Sequence, residues 1–237
     1  MAVSIDNVYQ KVLALANKEQ RGYITPQDFN LFASQAQLEI FEQYFYDLNQ
    51  ARRSQGNDTV IADIDNILED KLGMFEYTAG LTDIATYTNI STGGKELPEQ
   101  VYRVLRVTLN KVECELLNTR DFINCKGKPL TKPSKKRPIA NIQSNVIKCN
   151  SGQFADENPT SLTYIYRPSK PNWTYAVINK QAMYNHTGNT NNFDLHASEE
   201  IQLVNKILRL AGLATQQPDV VNAGVAMETA VIQQKQI

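Results

Sequence analysis

The sequence predicts an α+β protein: a helical core built from both ends of the chain, with a large antiparallel β insertion between them. Three observations carry this. Apolar residues recur every three to four positions up to about residue 73, the period then drops to two with β-branched and aromatic enrichment, and helical period returns after residue 192. The expected parts are therefore 1–73 (helical), 74–192 (β-rich) and 193–237 (helical).

Ser4 or Asp6 can cap a first helix carrying Val8, Val12, Leu13 and Ala16 on one face, with Gly22 as its breaker. In Thr25-Pro26-Gln27-Asp28, a capping residue precedes a proline at the first helical position and a carboxylate at the third, so a long helix starts here. Its apolar positions are Phe29, Phe32, Ala33, Ala36, Ile40, Tyr44 and Leu48, and a second row adds Leu38, Phe41 and Phe45. A helix apolar on two sides has two partners: it is either central to the monomer core, or its second row is a subunit interface. A third helix is expected from Asn57 to Leu72, closed by Gly73.

Six segments of the middle region read as strands: IATYTNI, VYRVLRVTL, VECELL, SNVIKC, TSLTYIYR and TYAVI. Asn110-Lys111 has the length of a two-residue hairpin loop, with Asn110 supplying positive φ. Residues 118–138 read as a long loop. Near the C-terminus, Ser198 caps a helix with Ile201, Val204, Ile207, Leu208 and Ala211 in its stripe and Gly212 at its end. Pro218 starts a last helix carrying Val220, Val221, Val225 and Ile232.

The function classes narrow from here. The first twenty residues lack the pattern of a signal peptide and no run reaches membrane-spanning length, so a soluble protein with no membrane partner is expected. Cys114, Cys125 and Cys149 form an odd set without C-x-x-C spacing, and are read as reduced thiols in strands or loops. No nucleotide, nucleophile-elbow or zinc-protease motif is present, and His186 and His196 have no sequence-near partner for metal or triad work. Asp63, Asp65, Glu69 and Asp70 are spread around a helix as its solvated face. A non-enzymatic protein without cofactor follows.

Two features suggest contacts instead. With Gly22 at position six of a calcium loop, Asn17, Glu19, Arg21, Thr25 and Asp28 fall on ligand positions. Arg21 puts a cation where an oxygen belongs and Asp28 is a methylene short of the usual glutamate, so no metal is expected. In CKGKPLTKPSKKRP, Lys126, Lys128, Lys132, Lys135, Lys136 and Arg137 stand without one acid, in a loop that its prolines hold extended. The loop is either solvated or an electrostatic contact for phosphates or an acidic protein. The net charge of −1 leaves any such contact local, and the absence of interleaved aromatics argues against base recognition, so contact with nucleic acid would be sequence-independent.

Five stretches taken together carry a resemblance. NKEQRGYITPQDFNLFASQAQLEIFEQYFYDLNQ (17–50), LPEQVYRVLRV (97–107), PLTKPSKKRPI (129–139), TYIYRPSKPNWTY (163–175) and FDLHASEEIQLVNKILRLAG (193–212) resemble virion structural proteins of crAss-like short-tailed bacteriophages, over about residues 4 to 215. The resemblance implies an adaptor or ring subunit at the head-to-tail junction, assembled in the host cytoplasm. The implied ring is a homo-oligomer, as a dodecamer, around the DNA channel. Its implied partners are the portal protein, the next tail or ring protein and, through non-specific contact, packaged DNA. Residues 216–237 become the implied portal-docking segment. A ring further down the tail, or a head-completion protein, is the alternative within the class. A nucleic-acid-binding accessory protein acting through 125–138 is the alternative outside it.

Overall fold

The computed structural model describes residues 2–16, 24–53, 69–89, 94–152, 156–178, 181–185, 189–214, 222, 224–227 and 229. In chain order its elements are β1 (Ala2–Val3), α1 (Ile5–Ala16), α2 (Pro26–Arg53), β2 (Glu76–Ala79), α3 (Leu81–Thr86), β3 (Lys95–Glu96), β4 (Val101–Leu109), β5 (Val112–Glu113) and β6 (Glu115–Leu117). There follow α4 (Thr119–Gly127), β7 (Ile139–Gln143), β8 (Val146–Asn150), β9 (Ser161–Tyr166), β10 (Tyr175–Ile178), β11 (Gln181–Tyr184), β12 (Phe193–His196), a 3₁₀ turn (Ala197–Glu199) and α5 (Glu200–Ala214). The protein is of the α+β class. It divides into two compact units, Met1–Met74 with Pro168–Ile237, and Phe75–Arg167.

In the first unit α1 and α2 both pack on α5, and β1 pairs antiparallel with β12, so the two ends of the chain share one core. The α2 start follows from its sequence: the Thr25 hydroxyl accepts from the Asp28 amide at 3.2 Å and meets the Asp28 carboxylate at 2.6 Å. One turn of the calcium-like stretch is thereby a helix cap; Asn17, Glu19, Arg21 and Gly22 lie outside the described residues. Phe29, Ala33, Ala36, Ile40 and Tyr44 are buried as their spacing predicts.

The central helix, however, is α5. Residues 202 to 208 are buried on every side of it, including Gln202, Asn205 and Lys206, whereas Ile201, assigned by period to the core stripe, is exposed. Burial on all faces follows from packing between α1 and α2, and its polar groups find partners on α2: Gln202 donates to Gln43 at 3.0 Å, while Lys206 and Arg209 lie 3.6 and 2.9 Å from Glu39.

The second unit is β-rich. One sheet runs β2-β9-β4-β5, the other β3-β8-β7-β6. The VECELL segment serves both: β5 pairs with β4, the chain turns at buried Cys114, and β6 pairs with β7. The core between them is aliphatic, with Val107, Leu109, Ala140, Ile147 and Leu162 beside Cys114 and Cys149. Asn110 and Lys111 (φ 51° and 69°) make the expected tight turn, and Ser144-Asn145 (φ 48° and 65°) makes a second of the same kind.

Several expectations need correction. Over its described residues, Ile84 to Asn89, IATYTNI is not a strand: α3 occupies Leu81–Thr86, with the Gly80 amide donating to Asp83 at its start. Not every pairing is antiparallel, because β6 and β7 are joined across α4 and run parallel. Pro168 to Asn192, assigned to the insertion, belongs to the first unit, and β12 precedes the C-terminal helix. Of the third helix, residues 69 to 73 are helical through Gly73, and Asn57 to Leu68 lie outside the described residues.

Candidate interaction surfaces

The second row on α2 separates into two kinds of residue. Phe41 is buried, packed edge-on against Phe45 with ring centroids 5.1 Å apart, so it is a core residue of the first unit and not an interface residue. Leu38 and Phe45 are half-buried, and the same side of the helix exposes Leu31 (69%) and Tyr46 (68%). Period alone could not rank these positions, since the helix that covers one side of α2 is α5, far from it in sequence. Glu42 stands on that exposed side, one turn from Leu38, Phe45 and Tyr46.

The basic segment is also rebuilt by the structure. It is not one extended loop over 118–138: Asn118 caps α4, its side chain accepting from the Asp121 amide at 3.2 Å, and Lys126 lies within that helix. Asn118 followed three residues later by an acid was the signal for it. Cys125, expected in a strand or loop, is helical too.

Two of the six cations are tethers. The Lys126 ammonium bonds to Asp156 and sits 4.4 Å above the centre of the Phe122 ring. Arg137 donates from Nε and Nη2 to Glu115 at 3.2 and 2.8 Å, and that carboxylate holds the guanidinium above its ordinary pKa. Two of the three prolines in the basic segment do not extend it either: Pro133 and Pro138 are buried, flanking a tight turn in which Ser134 and Arg137 exchange backbone hydrogen bonds. Gly152 (φ +96°) lets the chain approach, since a Cβ there would stand 2.5 Å from the Pro133 carbonyl oxygen. What remains outside is an arm with Lys128, Lys132, Lys135 and Lys136 exposed and Leu130 fully so, at 100%.

Of the proposed docking tail, Val220, Val221 and Ile232 lie outside the described residues. Val225 is helical and exposed; the neighbouring Gly224 lies against Arg209, where a Cβ would come within 3.2 Å of the α5 backbone. Gly224 thus packs on its own chain.

The titratable groups elsewhere have structural partners. Glu199, 2% exposed, takes the Lys71 ammonium at 2.5 Å. Lys71 also lies 5.7 Å from the centre of the Tyr44 ring, and burial first, then the Glu199 charge, push the Tyr44 hydroxyl well above its ordinary range. Cys149 is pushed up by its hydrogen bond with Cys114 and by burial, which keeps it a protonated core thiol. His196 bonds to Ser198 at the start of the 3₁₀ turn, while His186, Asp63 and Asp65 lie outside the described residues. Among the described residues no cluster of three metal-ligating side chains occurs, and no helix is long and apolar enough to cross a membrane.

Sequence reasoning missed the aromatic anchor of the first unit. Trp173, 1% exposed, lies between Tyr9 at 4.1 Å and the stacked rings of Tyr175 and Tyr184 at 5.8 and 5.9 Å, and its indole donates to Asp6 at 3.0 Å. Asn30 of α2 holds the Trp173 backbone, accepting from its amide at 2.8 Å. The β10–β11 hairpin rooted there exposes Val177 and Met183.

No protein-family model matches the chain, and no curated protein is similar to it in sequence.

Proposed function

We propose that this chain is a non-enzymatic structural subunit of a short-tailed phage virion, a ring or adaptor between the portal and the next tail component around the DNA channel. The observation that carries the reading is the uncovered apolar side of α2, where Leu31 and Tyr46 are exposed on a helix whose opposite side is fully engaged with its own core. Exposed Val177 and Met183, on opposite faces of β10–β11, give the first unit further apolar surface unlike the α2 side. Two unlike patches are what a head-to-tail ring contact needs, whereas a two-fold dimer needs only one. The five sequence stretches resembling crAss-like virion proteins supply the phage context. The test is the mass of the purified chain alone and with assembled portal rings. Association in a fixed stoichiometry supports the adaptor; a chain that stays monomeric and ignores portal overturns it.

A second reading is favoured by one observation: Lys128, Lys132, Lys135 and Lys136 are exposed and make no ion pair among the described residues. An accessory nucleic-acid-binding protein would use them on phosphates, and tight, salt-sensitive DNA binding by the monomer would establish it in place of the ring.

A further inference from the structure

We infer that the basic arm, residues 128–136, of one copy docks on the exposed side of α2 of another copy, with Leu130 set among Leu38, Phe45 and Tyr46 and the arm lysines around Glu42. This deepens the ring reading and rests on it, since it names the surfaces through which neighbouring subunits meet.

The two surfaces match in both charge and polarity. From 125 to 138 the sequence has six cations and no acid; from 26 to 51 it has Asp28, Glu39, Glu42 and Asp47 and no cation. The six cations of the arm segment, set against a formal net charge of −1, leave the rest of the chain at −7, so a copy of this protein is itself an acidic partner. On α2, Glu39 is engaged by Lys206 and Arg209 and Asp28 by its cap, while Glu42 is exposed. Helix geometry surrounds Glu42 with Leu38 four residues before it and with Phe45 and Tyr46 three and four after. The arm presents the complementary order: a fully exposed leucine with a lysine two residues to either side.

The arm is also held for docking. Lys126–Asp156 and Arg137–Glu115 fasten its two ends, and Gly152 seats Pro133, so little chain entropy remains to be lost when it binds. A phosphate partner would use the lysines but has no place for Leu130, and the segment has no aromatic ring to stack on bases. A second copy uses both. Because the arm and the α2 side are different patches, each copy can give one contact and receive another, which builds a ring or a filament.

The experiment is sedimentation of the full chain at low and high salt, with Leu130→Ala, Glu42→Lys, and Lys128→Glu/Lys132→Glu alone and combined with Glu42→Lys. Wild type should self-associate, more weakly at high salt. Leu130→Ala and Glu42→Lys should each weaken association about tenfold, and the charge-swapped combination should recover most of the loss. All these positions are exposed, so circular dichroism should stay that of wild type. Carbodiimide cross-links from Lys128 or Lys132 to Glu42 should join differently isotope-labelled copies. Self-association that Leu130→Ala and Glu42→Lys leave unchanged overturns the docking and spares the ring reading. A wild-type chain monomeric at every concentration, even beside portal, overturns both. DNA binding that is lost in Lys128→Glu/Lys132→Glu while self-association persists assigns the arm to phosphates and overturns the proposal.

Discussion

The two units are held together by different means, and the difference governs what each will tolerate. The second unit is fixed by strand pairing: β4 turns into β5 through two positive-φ residues, β7 turns into β8 through two more, β9 arrives from farther along the chain to pair with β2 and β4, and the enclosed side chains are mostly aliphatic. The first unit is fixed by side chains far apart in sequence. Gln37 of α2 donates to the Ser169 carbonyl at 2.7 Å and accepts from the Asp194 amide at 3.0 Å, and Trp173 reaches Asp6 across 167 residues. Backbone pairing of strands around two tight turns supports one, long-range polar and aromatic side-chain contacts the other. The protein's single tryptophan lies in the first unit, so its fluorescence follows that unit while circular dichroism follows both.

The largest expected effect is on the first unit. Trp173→Ala removes the ring that Tyr9, Tyr175 and Tyr184 pack against, and should cost about 3–5 kcal/mol. Differential scanning calorimetry should show a large fall in the transition that contains the helices, with the sheet transition preserved. Loss of both together would show that the long-range contacts sustain the second unit as well.

Next comes Lys71→Met, which keeps the aliphatic stem and removes the ammonium from a carboxylate that is 2% exposed. Leaving a buried charge without its counter-ion should cost about 3 kcal/mol, read from tryptophan fluorescence in urea. An unchanged midpoint would mean that Glu199 is satisfied by its other neighbours.

Legibility followed the same division. Thr25-Pro26-Gln27-Asp28, Asn110-Lys111 and the strands Val101–Leu109 and Ser161–Tyr166 were readable because propensity, period and turn chemistry act within a few residues. Phe41 and Ile201 were misplaced because burial depends on which helix arrives from elsewhere in the chain, and α5, not α2, receives neighbours all round. IATYTNI has strand composition, yet the Asp83 carboxylate accepts from the Gly80 amide and starts α3 instead. On the candidate surfaces, the charge run was plain in the sequence. Its sorting into two tethers and an exposed arm was not, because Asp156 and Glu115 reach it from other elements.

Alkaline pH separates the units more finely. The Tyr44 hydroxyl is raised above its ordinary value of 10.0, by burial and then by the Glu199 charge, so the folded unit keeps its proton after the unfolded chain has released it. Stability from this group is therefore complete below pH 10.0 and declines above it, by about 1.4 kcal/mol per pH unit. Urea titrations followed by fluorescence should show Tyr44→Phe diverging from wild type only above that pH, losing less stability. Parallel curves across the range would remove Tyr44 from the account.

The smallest effect belongs to the second unit. Lys111 holds φ at 69°, a conformation that costs a residue with a Cβ about 1 kcal/mol and costs glycine almost nothing. Lys111→Gly turns the β4–β5 turn into Asn-Gly, the pair that such two-residue turns favour, and should stabilise the second unit by about 1 kcal/mol. Circular dichroism should then show a higher sheet transition while the tryptophan transition stays where it was. An equal rise in both would show that the units unfold as one; no rise at all would mean that the Lys111 side chain contributes as much as its backbone costs. Because the exchange touches a single local turn, it measures how far local chemistry by itself sets the stability of the β-rich unit.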